Sequence, residues 1–405
     1  MSKPKITVVD SIMGTGKTSW AIQHMEDNAI TKRFIYITPF LSEVARVKTA
    51  LPDMNFKEPT IRNKKGNKLE GLKQLLINGD NIVSTHALFK RCDEEVIELL
   101  QKMKYTLILD EVAEVVEKFD IVKEDIRILF DSKTIVEDNK KWIKWIGTYR
   151  SYNGGLKDVM EQCFCNNLYH YGENFYLWTF PVEAFEKFEE IFILTYMFEG
   201  SLQKYYFDIF NVEYQYKAVE KSVETNKYKL VEYTGIDDLT EIAKLLHIYE
   251  GKLNNCGNGE YTFSATDMKK LVKKSLQVKA IQNNIYNFFT NIVKTPSEEN
   301  MWTTFKDCQN SLKGKGYTKG FVAVNSRATN EFRERTSMAY IANRFTQPYI
   351  KQFFTAHDVE INEDKLALAE LVQWIWRSAI REGNEVQLYI PSERMRRLLQ
   401  QWLNN

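Results

Sequence analysis

The chain carries almost no net charge: 55 Lys and Arg stand against 54 Asp and Glu over 405 residues, a formal charge of +1. With no excess of one sign, charge alone cannot drive nucleic-acid or membrane binding, and any such binding must use a local patch. No apolar run is long enough to span a bilayer, which excludes a membrane-spanning helix. The N-terminus has two lysines and then a strand-like run, without the long apolar region and small-residue cleavage site of a secretory signal. Cysteine is sparse: Cys92, Cys163, Cys165, Cys256 and Cys308 form an odd, scattered set that suits a reducing cytosol better than a disulfide framework. Cys163, Cys165 and His170 lack the spacing of a zinc site. Internal repeats, low-complexity tracts and long flexible linkers are also missing. What is present, 44% hydrophobic and 27% charged residues, excludes global disorder and allows about two domains.

Arginine is absent between Arg150 and Arg327, whereas six lie from Arg33 to Arg150 and nine from Arg327 to Arg397. Because arginine suits bidentate phosphate contacts, the C-terminal cluster marks a candidate functional region.

Short apolar runs alternate with helical stretches. Ile6–Val9, Phe34–Thr38, Asn81–Ser84, Thr106–Leu109 and Glu190–Thr195 read as strands, and the alternation implies an α/β fold with mostly parallel sheets. Val112–Phe130 reads as helical. Residues from about 135 to 180 form an aromatic-rich insertion, whose Trp142, Trp145, Tyr149, Tyr169, Tyr171, Tyr176 and Trp178 either pack a core or stack on single-stranded bases. From Leu202 the alternation begins again, with strands expected at Val212–Lys217, Tyr228–Tyr233, Tyr261–Ser264, Gly320–Val324 and Val386–Ile390, and one helix expected over Glu331–Phe354. This predicts two domains, 1–200 and 201–405.

The segment from Ser11 through Gly14, Thr15, Gly16, Lys17 and Thr18 follows a strand and opens a helix, the context of a Walker A loop. Loop and helix N–H groups would bind phosphates, Lys17 would reach the terminal phosphates and the Thr18 hydroxyl would hold Mg²⁺. A second strand ends in Asp110-Glu111. Asp110 can hold Mg²⁺, and Glu111 can orient and deprotonate an attacking water.

These two motifs in this order resemble the superfamily 2 helicases of the DEAD/DEAH type. The resemblance implies two RecA-like P-loop domains with ATP and Mg²⁺ in the cleft between them, and ATP hydrolysis. Thr38-Pro39 and Ser84-Thr85-His86 resemble the family's nucleic-acid contacts, and Leu194-Thr195-Tyr196-Met197-Phe198 stands where its coupling motif does. In the second half, Gln373, Arg377 and Arg381 resemble the motif that contacts the γ-phosphate, with the two arginines expected on one helix face and either able to act as the finger. The turn carrying Arg327 and Asn330 resembles a further nucleotide and nucleic-acid contact. More narrowly, the C-terminal blocks look like phage-encoded replication helicases of low-GC Gram-positive hosts. The implied protein is a monomeric, cytoplasmic motor on single- or double-stranded nucleic acid, DNA before RNA, with replication proteins as possible partners and the host cytoplasm as its place if phage-encoded. Two alternatives stand beside it: an ATPase that translocates or packages DNA without unwinding it, and a nucleotide-gated loading module.

Overall fold

The computed structural model describes residues 5–39, 41–60, 68–86, 92–148, 154–172, 175–235, 237–324 and 330–404, with the backbone alone described at Asn330. It divides into two compact units: Met1–Ser11, Thr15–Tyr233 and Gln347–Ile361 form the first, and Ile12–Gly14, Thr234–Thr346 and Asn362–Asn405 the second.

The first unit opens with β1 (Lys5–Asp10), β2 (Arg33–Thr38), β3 (Ile82–Thr85) and β4 (Tyr105–Asp110), separated by helices such as Lys17–Asp27, Leu41–Ala50 and Glu94–Met103. All four strands are apolar and buried along nearly their whole length, as expected of parallel strands covered on both faces. Next comes the insertion, with β5 (Val116–Phe119), β6 (Ile135–Glu137), β7 (Ile143–Trp145), β8 (Leu168–Tyr171) and β9 (Phe175–Thr179). β5, β9 and β8 form an antiparallel sheet, and β6 with β7 forms a hairpin. The insertion has its own core of Ile126, Leu129, Ile135, Ile143, Val159, Cys163, Leu168 and Tyr176. Then β10 (Glu190–Thr195), β11 (Gln215–Lys221) and β12 (Tyr228–Glu232) complete the main sheet, whose order is β12-β11-β1-β10-β4-β2-β3. Only the β11–β12 pairing is antiparallel.

The second unit has β13 (Leu246–Ile248), β14 (Asn300–Thr303), β15 (Ser337–Tyr340) and β16 (Val386–Tyr389) in the order β13-β16-β15-β14, all parallel. Trp302, Phe288, Phe289, Ala339 and Tyr389 belong to its core. The expected α/β class with mostly parallel sheets is therefore what the chain adopts. Among the described residues, no helix is long and apolar enough to cross a membrane.

Several local expectations give way to tertiary pairing. The first unit does not end at residue 200, because β11 pairs with β1 and carries β12 into the same sheet, moving the division to Tyr233. Gln347–Ile361 also returns to the first unit, where Phe353 meets the ring of Tyr169 edge-on at 5.1 Å. The expected Val112–Phe130 helix splits into β5 and a helix at Lys123–Asp131, because Val116–Phe119 finds β9 as a partner. Glu331–Phe354 is not one helix. Ser337–Tyr340 is drawn in as the buried strand β15, and the helix that follows starts at Pro348, a residue tolerated in a first turn and excluded from a helix interior. The expected strand at Gly320–Val324 retains one bridge, Phe321 to Trp302, and Tyr261–Ser264 is a turn that caps the next helix.

Candidate functional site

In a parallel sheet, ligands bind outside the carboxyl ends of the strands. Register places Asp10 beside Thr195, Leu194 beside Asp110, and Thr38 beside Thr85, so one edge of the main sheet gathers most of the polar strand ends. β10 stands between the loop-bearing β1 and the acid-bearing β4.

The loop after β1 is built by its glycines. Gly14 and Gly16 have φ of 91° and 101°, a left-handed conformation that glycine adopts without a Cβ penalty, and Gly16 caps the helix Lys17–Asp27. The helix starts there: the Gly16 carbonyl accepts the Trp20 N–H at 2.8 Å. Lys17 Nζ donates to the Ser11 carbonyl, spanning the loop from its helical end to its strand end. Thr18 lies in the first helical turn and is partly accessible. The Ser11 hydroxyl accepts the Val219 N–H at 2.8 Å, and the Ser11 N–H donates to the Thr195 carbonyl at 3.2 Å. Ser11 thus ties the loop to strands on both sides. Its hydroxyl is anchored to the sheet through Val219, with the O–H still able to donate.

The acid pair is held as firmly. The Glu111 N–H donates to the Leu194 carbonyl at 2.9 Å, and its φ of 70° puts a non-glycine residue in the left-handed region. Such strain persists only where the surroundings enforce it, and it concentrates at functional sites. The Tyr36 hydroxyl donates to Asp110 Oδ2 at 2.7 Å, and His86 Nε2 lies 3.1 Å from the Asp110 carbonyl. Burial, reinforced by the neighbouring Glu111 carboxylate, pushes the Asp110 carboxyl up to about 7, while the Tyr36 hydrogen bond opposes the rise. The Tyr36 hydroxyl is in turn raised well above its ordinary value, chiefly by burial and then by Asp110. A carboxyl held back from ionising in this way is a group that a divalent cation would relieve, and the Asp110 carboxylate and the Thr18 hydroxyl are both oxygen donors of the type Mg²⁺ takes.

Thr38 and Ser84 are buried at their strand ends, and Pro39 and Thr85 are partly accessible. The Asp10 carboxylate accepts the N–H groups of Met197 at 2.9 Å and Phe198 at 2.8 Å, fixing the turn after Thr195. Tyr36, Asp10 and Gln203, whose Oε1 accepts the Ala113 N–H at 2.8 Å behind the acid pair, went unrecognised in the sequence. Their one signal was a polar atom inside an apolar run, which does not identify its partner.

In the second unit, the helix Glu363–Ile375 carries Gln373 and stops before Arg377. Ser378 then caps a 3-10 turn, Ala379–Glu382. Arg377 and Arg381 therefore do not share a helix face, a correction of the expected geometry. Arg377 is buried and donates to the Ala323 carbonyl at 3.4 Å, whereas Arg381 is exposed. Arg327 lies outside the described residues, and Asn330 is described by its backbone alone, in a short turn. Much of the C-terminal arginine cluster braces the fold. Arg394 pairs with Asp364 at 2.6 Å under the Phe345 ring, Arg344 pairs with Glu370, and Arg335 donates to the carbonyls of Ser297 and Asn300.

In the insertion, Tyr169, Tyr176 and Trp178 are buried, which removes them as stacking platforms; Tyr149 lies outside the described residues. Burial pushes the thiols of Cys163 and Cys165 up to about 12, and Cys165 Sγ donates to the Cys92 carbonyl at 2.9 Å.

A family model described as the YonV C-terminal Rossmann-like domain matches residues 240–403, and one described as the YonV middle domain matches residues 116–178, the stretch of the insertion. A Bacillus subtilis (strain 168) protein described as "SPbeta prophage-derived uncharacterized protein YonV" is 41% identical over 412 aligned positions, covering 99% of this chain and 99% of that protein. Among solved structures, S. tokodaii Xpd4 is similar over 98% of this chain and 94% of its own, with a TM-score of 0.44 and 12% identity. The DUF1998 helicase MrfA bound to DNA is similar over 100% of this chain and 47% of its own, with a TM-score of 0.33 and 10% identity.

Proposed function

The chain belongs to the YonV family, and we propose that it is an ATP-driven helicase or translocase acting on nucleic acid. One observation carries the reading: a Walker-type loop and a paired-acid strand end stand on one edge of a parallel sheet, separated by the single strand β10. A phosphate cradle, a lysine and a carboxylate pair within that span supply the parts of phosphoryl transfer to water.

In this reading the N–H groups of Gly14, Thr15, Gly16, Lys17 and Thr18 bind the phosphates, and Lys17 exchanges the Ser11 carbonyl for a phosphate oxygen. Thr18 and Asp110 hold Mg²⁺, which when bound neutralises phosphate charge. Glu111 takes the proton of the attacking water. Arg381, the accessible arginine of its motif, is the proposed finger. Arg377 positions the backbone at Ala323, a few residues before Arg327 and Asn330 in the chain, and Gln373 supports the same motif. Thr38, Pro39, Ser84 and Thr85, with Arg327 and Asn330, are the proposed contacts to a nucleic-acid backbone, DNA before RNA. The proposal extends to a role in phage DNA replication in the host cytoplasm, with a monomer as the working unit and replication proteins as possible partners; the prophage origin of the relative supports the phage link alone.

The experiment is displacement of a labelled strand from a partial DNA duplex. The wild type with ATP is expected to release the strand, and Lys17→Ala is expected to release none. ATP turnover stimulated by DNA without strand release would replace unwinding with translocation.

A further inference from the structure

We infer that Tyr228 is the platform on which the nucleobase of the bound nucleotide stacks. The inference rests on the proposed reading of the phosphate loop and extends it to the part of the ligand that no motif addresses. Sheet order suggests the direction. With the acid pair on β4 facing the terminal phosphate, the phosphates would run back across β1 and the nucleoside would lie toward the opposite neighbours, β11 and β12.

Tyr228, the first residue of β12, stands there. A Cβ placed on Gly16 would come within 2.1 Å of its Cε1, so the ring lies directly against the loop glycine that caps the helix. The ring is held from behind by its own backbone. The Tyr228 N–H donates to Gln23 Oε1, and the Tyr228 carbonyl accepts Gln23 Nε2, both at 2.9 Å. The same hairpin is tied to the start of the loop by the Ser11–Val219 hydrogen bond. Tyr228 is only partly buried, packs against the core cluster of the first unit, and has Lys221 Nζ over its ring, 5.7 Å from the centroid. A partly accessible aromatic residue next to a phosphate loop, with a mobile lysine over its ring that a bound base would replace and the phosphates would attract, matches a nucleoside polyphosphate. Stacking on such a face tolerates any base. The amide of Gln23 is already engaged at both ends, which leaves the ring as the recognising group.

The test compares ATP with inorganic tripolyphosphate, which has the phosphates and no base. Binding of each, with Mg²⁺, is measured by calorimetry on the full chain for the wild type, Tyr228→Phe and Tyr228→Leu. Phe keeps the ring, and Leu keeps apolar packing without it. The platform predicts that Tyr228→Leu weakens ATP about tenfold and Tyr228→Phe hardly at all, with tripolyphosphate unchanged in both. Equal losses for ATP and tripolyphosphate would make Tyr228 a shaper of the loop and overturn the inference, as would unchanged ATP binding in Tyr228→Leu. Should Tyr228→Leu fail to fold, Tyr228→Trp serves: it is expected to bind ATP at least as tightly as the wild type, and weaker binding of ATP alone overturns the platform. A wild type that binds neither ligand would bring down the phosphate-loop reading itself, and the platform with it.

Discussion

Glu111→Gln is expected to lower ATP turnover by about 10²- to 10⁴-fold while leaving ATP binding intact. Glutamine has nearly the same shape, and the backbone that carries it is held from outside the side chain by the Leu194 carbonyl and the end of β10. The variant therefore keeps the left-handed turn at φ 70° and loses only the ability to accept a proton. Lys17→Ala should behave differently, because the lysine is proposed to serve binding as well as chemistry. Single-turnover hydrolysis and calorimetric ATP binding, run on both variants, separate the two roles. A Glu111→Gln protein that turns over at more than a tenth of the wild-type rate would place the base elsewhere.

Asp110→Asn is expected to move activity and stability in opposite directions, abolishing turnover and raising thermal stability at pH 7. The sign follows from the raised carboxyl. Below about pH 4 Asp110 is protonated in both folded and unfolded chains and contributes no pH dependence. Between about 4 and 7 the unfolded chain releases its proton while the folded chain retains it, so folding loses stability as pH rises. Above about 7 both forms are ionised and the loss is complete, with a ceiling of about 4 kcal/mol for a carboxyl raised from 3.8 to about 7. Asn at 110 removes this loss and can still accept the Tyr36 hydroxyl. Melting curves from pH 4 to pH 8 should show the wild type falling toward neutrality relative to the variant, by several degrees at most. Parallel curves would show that Asp110 ionises normally in the fold. The site then exemplifies a stability cost kept for function, since the carboxylate that destabilises the fold is the one that would hold a cation.

The parts of the site legible in the sequence are those whose signature is local. Ser11 to Thr18 carry glycines, a lysine and a helix start within eight residues, and Asp110-Glu111 ends a run too apolar to be anything but a buried strand. The parts that were not legible depend on pairings between distant segments. Nothing in Glu190–Thr195 announces that it lies between β1 and β4, and Gln215–Lys221, with its mixed polarity, reads as well for a new domain as for an edge of the first. Tyr36 looks like one more apolar strand residue until Asp110 is placed beside it 74 positions later. Two misreadings had a signal available. Pro348 marks a helix start inside the segment Glu331–Phe354, and Ser378, a capping residue, marks the break between Arg377 and Arg381. The continuous apolar content of Trp374-Ile375-Trp376 hid that break, because buried helix and buried turn have the same composition.

Control of turnover at the loop-and-acid site by nucleic acid is read from steady-state ATP hydrolysis with and without single-stranded DNA, for the wild type and Lys17→Ala. Slow hydrolysis by the wild type alone, stimulation by single-stranded DNA, and neither in Lys17→Ala are expected. Hydrolysis indifferent to DNA and to RNA would contradict such control and leave a nucleotide switch whose partner is a protein.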